Sequence, residues 1–144
     1  MKKLKVRLST PTVNNLELRE IKKLFDQSWL GYGPRVGKFE KAWSKYFKVK
    51  HCVALNSCTA ALHLALAVNN FKKKKKVLVP AMTFSASAAS VLYCGLEPVF
   101  VDIDPKTLVM SVNDLKKKYT KDCVAVITVH FNGQPCEMEK IVPW

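Results

Sequence analysis

The spacing of apolar residues changes along this chain, and the changes mark its elements. Leu16, Leu18, Ile21, Leu24 and Phe25 recur on a largely helical period between Asn15 and Trp29, and Asn14 or Asn15 can cap that helix. Gly31-Tyr32-Gly33-Pro34 then breaks the chain. Phe39, Trp43, Tyr46 and Phe47 are spaced to line one face of a second short helix. From His51 onward the pattern turns to short, continuous apolar runs. Cys52–Leu55, Val77–Val79, Val99–Ile103 and Val124–Val129 read as strands. Between them, Ala60–Val68 is apolar almost all round, which predicts a buried helix. Ser85–Cys94 reads as a small-residue helix stopped by Gly95. Ser111 followed by Asp114 resembles a capping box opening a helix over Val112–Tyr119. Glu137 begins a further helical segment.

Strands that are unbroken apolar runs, alternating with helices, predict an α/β fold with a mostly parallel sheet flanked by helices. Ligands of such sheets bind beyond the carboxyl ends of the strands. The loops expected there are Asn56–Thr59, Pro80–Phe84, Asp102–Lys106 and His130–Pro135. The change of pattern divides the chain into a helical segment over residues 1–48 and an α/β domain from 49 onward.

Composition narrows the class. With 144 residues, 49% of them hydrophobic, the chain can build a core and does not read as disordered. No apolar run approaches the ~20 residues of a membrane span, and the basic start Met1–Arg7 lacks the apolar stretch of a signal peptide. We therefore expect a cytoplasmic protein with no membrane partner. The five cysteines include no Cys-x-x-Cys pair, so neither a disulfide framework nor a zinc site is expected. Cys52, Cys94 and Cys123 read as small buried hydrophobes.

The net charge of +13 raises nucleic acid as a partner. The charge gathers in Lys72–Lys76 and in Lys116–Lys118 with Lys121. Neither cluster has interleaved aromatics to stack on bases or arginines to read guanine edges, which argues against a nucleic-acid site and for a solvated loop and helix end.

Three loops carry candidate chemistry. Asn56-Ser57-Cys58-Thr59 joins a strand to a helix, where free N–H groups attract phosphate; simple N-capping by Ser57 or Thr59 accounts for the same residues. Phe84 ends a strand-exit loop, as a ring that stacks on a flat cofactor or as a core residue. His130 follows the last strand, as a structural hydrogen-bonder or as a site residue, with Gly133 supplying a turn conformation that other residues resist. Asp102 and Asp104 read as turn or cap residues. No glycine-rich phosphate loop, serine-hydrolase elbow or metal-ligand spacing occurs.

In order, these segments resemble the N-terminal part of the DegT/DnrJ/EryC1/StrS family of pyridoxal 5′-phosphate (PLP)-dependent sugar aminotransferases. The matching blocks are Gly33-Pro34 to Phe39-Glu40, Asn56 to Leu66, Val79-Pro80-Ala81-Met82-Thr83-Phe84, Gly95 to Asp104, and Val129-His130-Phe131-Asn132-Gly133-Gln134-Pro135. The resemblance implies the large domain of a type I aminotransferase-like fold, incomplete at the C-terminus. It implies that Ser57, Cys58 and Thr59 hold the cofactor phosphate and that Phe84 stacks on the pyridine ring. Gly31 and Tyr32 would lie near the substrate entrance, and His130 would line the site with no chemical step assigned. Two departures stand out: Cys58 occupies a position where most relatives have glycine, and Lys74-Lys75-Lys76 replaces a Gly-Asp-Glu turn.

Such enzymes also need a Schiff-base lysine and a carboxylate on the pyridine nitrogen. The resemblance places both beyond Trp144, so no catalytic residue is expected in this chain, and the chain alone is expected to be inactive. The implied whole is a homodimer that moves an amino group, from a donor such as glutamate, to a nucleotide-linked keto-sugar, commonly for polysaccharide synthesis. A sugar dehydratase of the same family, a non-catalytic binding or regulatory protein on the same fold, and a basic nucleic-acid binder are the alternatives. One sheet edge and several apolar helix faces are expected to be uncovered.

Overall fold

The computed structural model describes residues 10–29, 31–73 and 75–142. The chain divides into two compact units, Met1–Ala54 and Leu55–Trp144.

The first unit is helical. Helix α1 spans Asn15–Asp26 and α2 spans Pro34–Phe47. The Asn14 side chain accepts the Leu16 N–H at 2.8 Å, and Glu17 accepts the Asn14 N–H at 2.7 Å, which pins the start of α1. Helix α2 opens with Gly33 as N-cap and Pro34 at its first turn, where a missing N–H costs nothing. Gly33 lies against the Trp29 side chain, and a Cβ there would displace the indole. The aromatic face of α2 forms a ladder, with ring centroids 5.5 Å apart for Phe39–Trp43 and 4.8 Å for Trp43–Phe47.

The run Cys52–Leu55, predicted as a strand, makes no ladder among the described residues. Its Ala54 N–H is taken instead by the Glu40 carboxylate at 2.8 Å, a side-chain partner that periodicity cannot reveal.

The second unit is the α/β body. Its elements are α3 (Cys58–Ala67), β1 (Lys76–Pro80), α4 (Ala86–Tyr93), β2 (Glu97–Val101), α5 (Val112–Lys118), β3 (Cys123–Val126) and α6 (Met138–Ile141). The three strands form a wholly parallel sheet in the order β2-β1-β3. Val77, Leu78 and Val79 of the central strand are fully buried, because both faces of the sheet are covered. Val77 and Val79 pack with Leu66, Val91 and Leu96 on one face. Leu78 packs with Val101, Met110 and Leu115 on the other. Pro98, which has no N–H, sits on the outer strand β2, where a missing donor is tolerated.

Several boundaries differ from the sequence reading. Strand β2 ends at Val101, and Ile103 instead bridges antiparallel to Met110. Strand β3 ends at Val126, with a register shift against Lys76/Val77. In α3, only Leu66 is buried; Leu64 and Val68 are exposed, so the all-round apolar composition is only partly used here. Among the cysteines the buried one is Cys136, whereas Cys52, Cys94 and Cys123 are half-buried and Cys58 is exposed. All five are free.

Gly95 stops α4 at a φ of +67°, the left-handed conformation expected of it. Ser111 accepts the Asp114 N–H at 3.3 Å, which is half of the expected box. The Asp114 carboxylate does not return to Ser111. It accepts the Asp102 N–H at 2.7 Å and pairs with Lys118, tying α5 to the end of β2.

Candidate functional site

Connectivity gathers three of the candidate loops at one end of the sheet. Helix α3 leads into β1 and α4 leads out of it, and the two helices pack side by side. Near their C-termini, the Cys94 thiol reaches the His63 carbonyl at 3.8 Å, and both helix ends line one small cleft with Leu96. Their N-termini therefore lie at the carboxyl end of the parallel strands. The loop after β3 opens at that same end.

The start of α3 is a short donor array. Ser57 is the N-cap, with its Oγ accepting the Ala60 N–H at 3.2 Å and its carbonyl accepting the Ala61 N–H at 3.2 Å. The N–H groups of Cys58 and Thr59 have no acceptor among the described residues, and the positive end of the helix dipole adds to their pull on an anion. Cys58 takes the first helical position with ordinary helical backbone, so its side chain introduces no strain there. Thr59 is half-buried and Cys58 exposed.

The loop after β1 is braced from both sides. The Ala81 N–H reaches the Val101 carbonyl at 2.7 Å, and Thr83 Oγ1 and Ser87 Oγ share a hydrogen bond of 2.7 Å. Phe84 itself is 78% exposed, which removes the core alternative within this chain. A large ring held outward on a braced loop, at the end of the sheet where α3 begins, is available to a flat ligand.

The loop after β3 folds back on itself through a 3-10 turn at Phe131–Gly133. Gly133 has a φ of +80°, as its place in the turn predicts, and Asn132 also adopts the left-handed region at +51°. The His130 ring is exposed, and its Nδ1 accepts the Cys136 N–H at 3.0 Å. The Cys136 thiol, buried beneath, donates to the Val129 carbonyl at 3.2 Å. Cys136 carried no signal in the sequence as a partner of this histidine.

Gly31 and Tyr32 belong to the first unit. Tyr32 is exposed, and its hydroxyl donates to Glu40 Oε2 at 3.1 Å, which raises the phenol above its ordinary pKa. Glu40 thus serves both Tyr32 and Ala54, a role that its sequence position did not suggest.

The two lysine clusters are placed differently: Lys118 of the second donates to the Phe100 carbonyl near the end of β2 at 2.8 Å, whereas the described residues of the first lie at the start of β1. Lys75 pairs with Asp122, and the Lys76 N–H reaches the Asp122 carbonyl at 2.9 Å, at the strands' opposite end. No described helix is long and apolar enough to cross a membrane.

Comparison with known proteins places this geometry. The sequence profile of the DegT/DnrJ/EryC1/StrS aminotransferase family matches residues 11–143. The spore coat polysaccharide biosynthesis protein SpsC of Bacillus subtilis is 39% identical over 134 residues, 93% of this chain and 34% of that protein. Among solved structures, the PLP form of Spr1654 from Streptococcus pneumoniae, assigned as a sugar aminotransferase, superposes with a TM-score of 0.88 at 31% identity, over 96% of this chain and 35% of its own. The Escherichia coli GDP-4-keto-6-deoxy-D-mannose-3-dehydratase with bound hydrated PLP gives 0.88 at 29% identity, over 94% and 37%. This chain spans about a third of the length of the relatives it matches.

Proposed function

The chain belongs to the DegT/DnrJ/EryC1/StrS aminotransferase family, and from that premise we propose that it supplies the phosphate-holding and ring-stacking half of a PLP pocket in an enzyme that aminates nucleotide-linked keto-sugars. The observation that carries this reading is the pair of N–H groups at Cys58 and Thr59 with no acceptor among the described residues, with the Thr59 hydroxyl beside it, at the sheet end that also presents Phe84. The residues present fit the cofactor: a dianionic phosphate suits free N–H groups at a helix start, and a flat pyridine ring suits an exposed phenyl face. Ser57, Cys58 and Thr59 would hold the phosphate, and Phe84 would cover one face of the ring. PLP, when bound, supplies the electron sink that lets an amino group leave one carbon and join another.

The work left to this chain is to bind and orient. Backbone donors at Cys58 and Thr59 would hold the phosphate and Phe84 would lie against the ring, so this chain's part would be to bind and position the cofactor. The lysine and aspartate that the reaction requires would come from the remainder of the full-length protein. Gly31 and Tyr32 would face the sugar substrate, the full-length protein would work as a homodimer in the cytoplasm, and glutamate is the proposed amino donor.

The dehydratase likeness favours a second reading, in which the same half-pocket serves removal of a sugar hydroxyl. Incubating the full-length protein with PLP, glutamate and a GDP- or dTDP-linked 4-keto-6-deoxy sugar separates the two. An aminosugar product supports the first reading and a deoxysugar the second. Failure to bind PLP, followed by its absorbance, sinks both. Thr59→Ala is expected to weaken PLP binding about tenfold, the equivalent of losing one hydrogen bond to a charged group.

A further inference from the structure

We propose that the His130 ring is held in the tautomer whose Nε2–H is aimed outward as a fixed hydrogen-bond donor, to an oxygen of the cofactor or sugar substrate, and that the backbone of Cys136 is what fixes it. The inference rests on the cofactor reading of this end of the sheet.

The argument starts from the ring's two nitrogens. Nδ1 accepts the Cys136 N–H at 3.0 Å, and a nitrogen that accepts carries no proton. The ring's one proton in the neutral form is therefore on Nε2. The acceptor side of the ring is fully used inside the loop, and the ring's exposed position leaves Nε2–H as its outward polar group.

The frame that holds this arrangement is rigid for its size. The Phe131 N–H reaches the Val129 carbonyl at 3.0 Å, Gly133 N–H the His130 carbonyl at 3.1 Å, and Gln134 N–H the Phe131 carbonyl at 2.9 Å. The Cys136 thiol closes the loop onto Val129 at 3.2 Å, and its side chain is anchored in an apolar cluster with Val109, Val112 and Ile141. Two left-handed residues in succession, Asn132 and Gly133, turn the chain tightly enough for Cys136 to come back under the ring. So much local structure spent on one exposed ring is the mark of a positioned group. A neutral donor also suits an electron-rich oxygen without adding a full positive charge to a site already furnished with cation-like helix ends.

Two readouts test this in the full-length protein. In a protein labelled with ¹⁵N-histidine, two-bond proton–nitrogen correlation spectra without ligand are expected to show His130 as the Nε2–H tautomer at neutral pH. An Nδ1–H tautomer or an imidazolium there overturns the proposal, whether or not PLP binds. The second readout uses paired variants. In His130→Asn, the amide oxygen can still accept the Cys136 N–H, but nothing reaches the Nε2 position. In His130→Gln, an amide donor reaches the Nε2 position, but the Nδ1 acceptor is gone. The expected result is that Asn weakens ligand binding about tenfold with the melting temperature preserved, and that Gln, which keeps a donor but loses the link to Cys136, falls between Asn and the unaltered protein; Gln binding as tightly as the unaltered protein would overturn the fixing role of Cys136. A loss in PLP affinity places the acceptor on the cofactor, and a rise in the nucleotide sugar's KM alone places it on the substrate. Unchanged PLP affinity and KM in His130→Asn overturns the proposal; if either variant fails to fold, the tautomer spectrum decides.

Discussion

The two units of this chain hold their shape by opposite means. No described residue before Leu55 is buried, although α1 and α2 carry Leu16, Leu18, Ile21, Phe25, Phe39 and Trp43 on their surfaces. Their order comes from local devices: the Asn14–Glu17 capping box, the Lys22–Asp26 pair, Glu20 shared between Lys23 and Arg35, and the ring ladder of α2. Glu20 is drawn down to about 2 by those two cations, Lys23 first. The second unit instead buries a central strand on both faces. Exposed ion pairs and caps are each worth about 1 kcal/mol or less, whereas a buried leucine is worth several. The difference teaches where this sequence encodes autonomy. The α/β body specifies its own core, while the first unit specifies helices whose apolar faces are left without cover among the described residues.

The sharpest way to break that contrast is a matched pair of truncations. Leu78→Ala is expected to cost about 2–5 kcal/mol, and Leu18→Ala, 64% exposed, less than about 0.5 kcal/mol, both read from denaturant midpoints. Equal losses would mean that the first unit depends on burial no less than the second.

A smaller effect is expected at Asp114. The Asp102 N–H, and after it Lys118, holds its carboxyl below the ordinary aspartate value. A carboxylate whose folded pKa is depressed adds stability above its unfolded pKa of ~3.9, and that stability is lost as pH falls through the folded value. Asp114→Ala should therefore cost about 1.5 kcal/mol at neutral pH and progressively less below pH ~4, measured as melting temperature against pH. A cost that does not change with pH would show that the link acts through packing.

The smallest expected change sharpens the other side. Asn14→Ala should remove about 1 kcal/mol from α1 alone. Amide exchange should speed up across Leu16–Asp26 and stay unchanged in β1. Faster exchange in both would join the two units into one cooperative body.

The readability of the sequence follows the same divide. Wherever burial imposes a pattern, as in Val77–Val79, or a glycine takes a left-handed turn, as at Gly95 and Gly133, element and cause were legible. The parallel sheet followed from the unbroken apolar runs. What escaped were partners joined across the chain by side chains. Glu40 takes the N–H of Ala54, where a strand was expected, and Asp114 crosses to Asp102. The candidate site divides likewise: the donor turn at Ser57–Thr59 shows in the residue types, whereas the Cys136 backbone that orients His130 has no compositional mark. Phe84 was ambiguous because a phenylalanine reads alike in a core and on a ligand platform; here it is 78% exposed.

The strand order β2-β1-β3 carries a consequence for how the sheet is assembled. The central strand is the earliest of the three in sequence, so each later strand has only to find an edge that already exists. Lys76 meets Glu97 on one side and Cys123, roughly twice as far along the chain, on the other. Doubling the span to be closed adds about 0.6 kcal/mol of lost chain entropy. The shorter crossover through α4 is therefore the cheaper of the two to close, and the pairing of β3, which leads to the loop that carries His130, is the more costly.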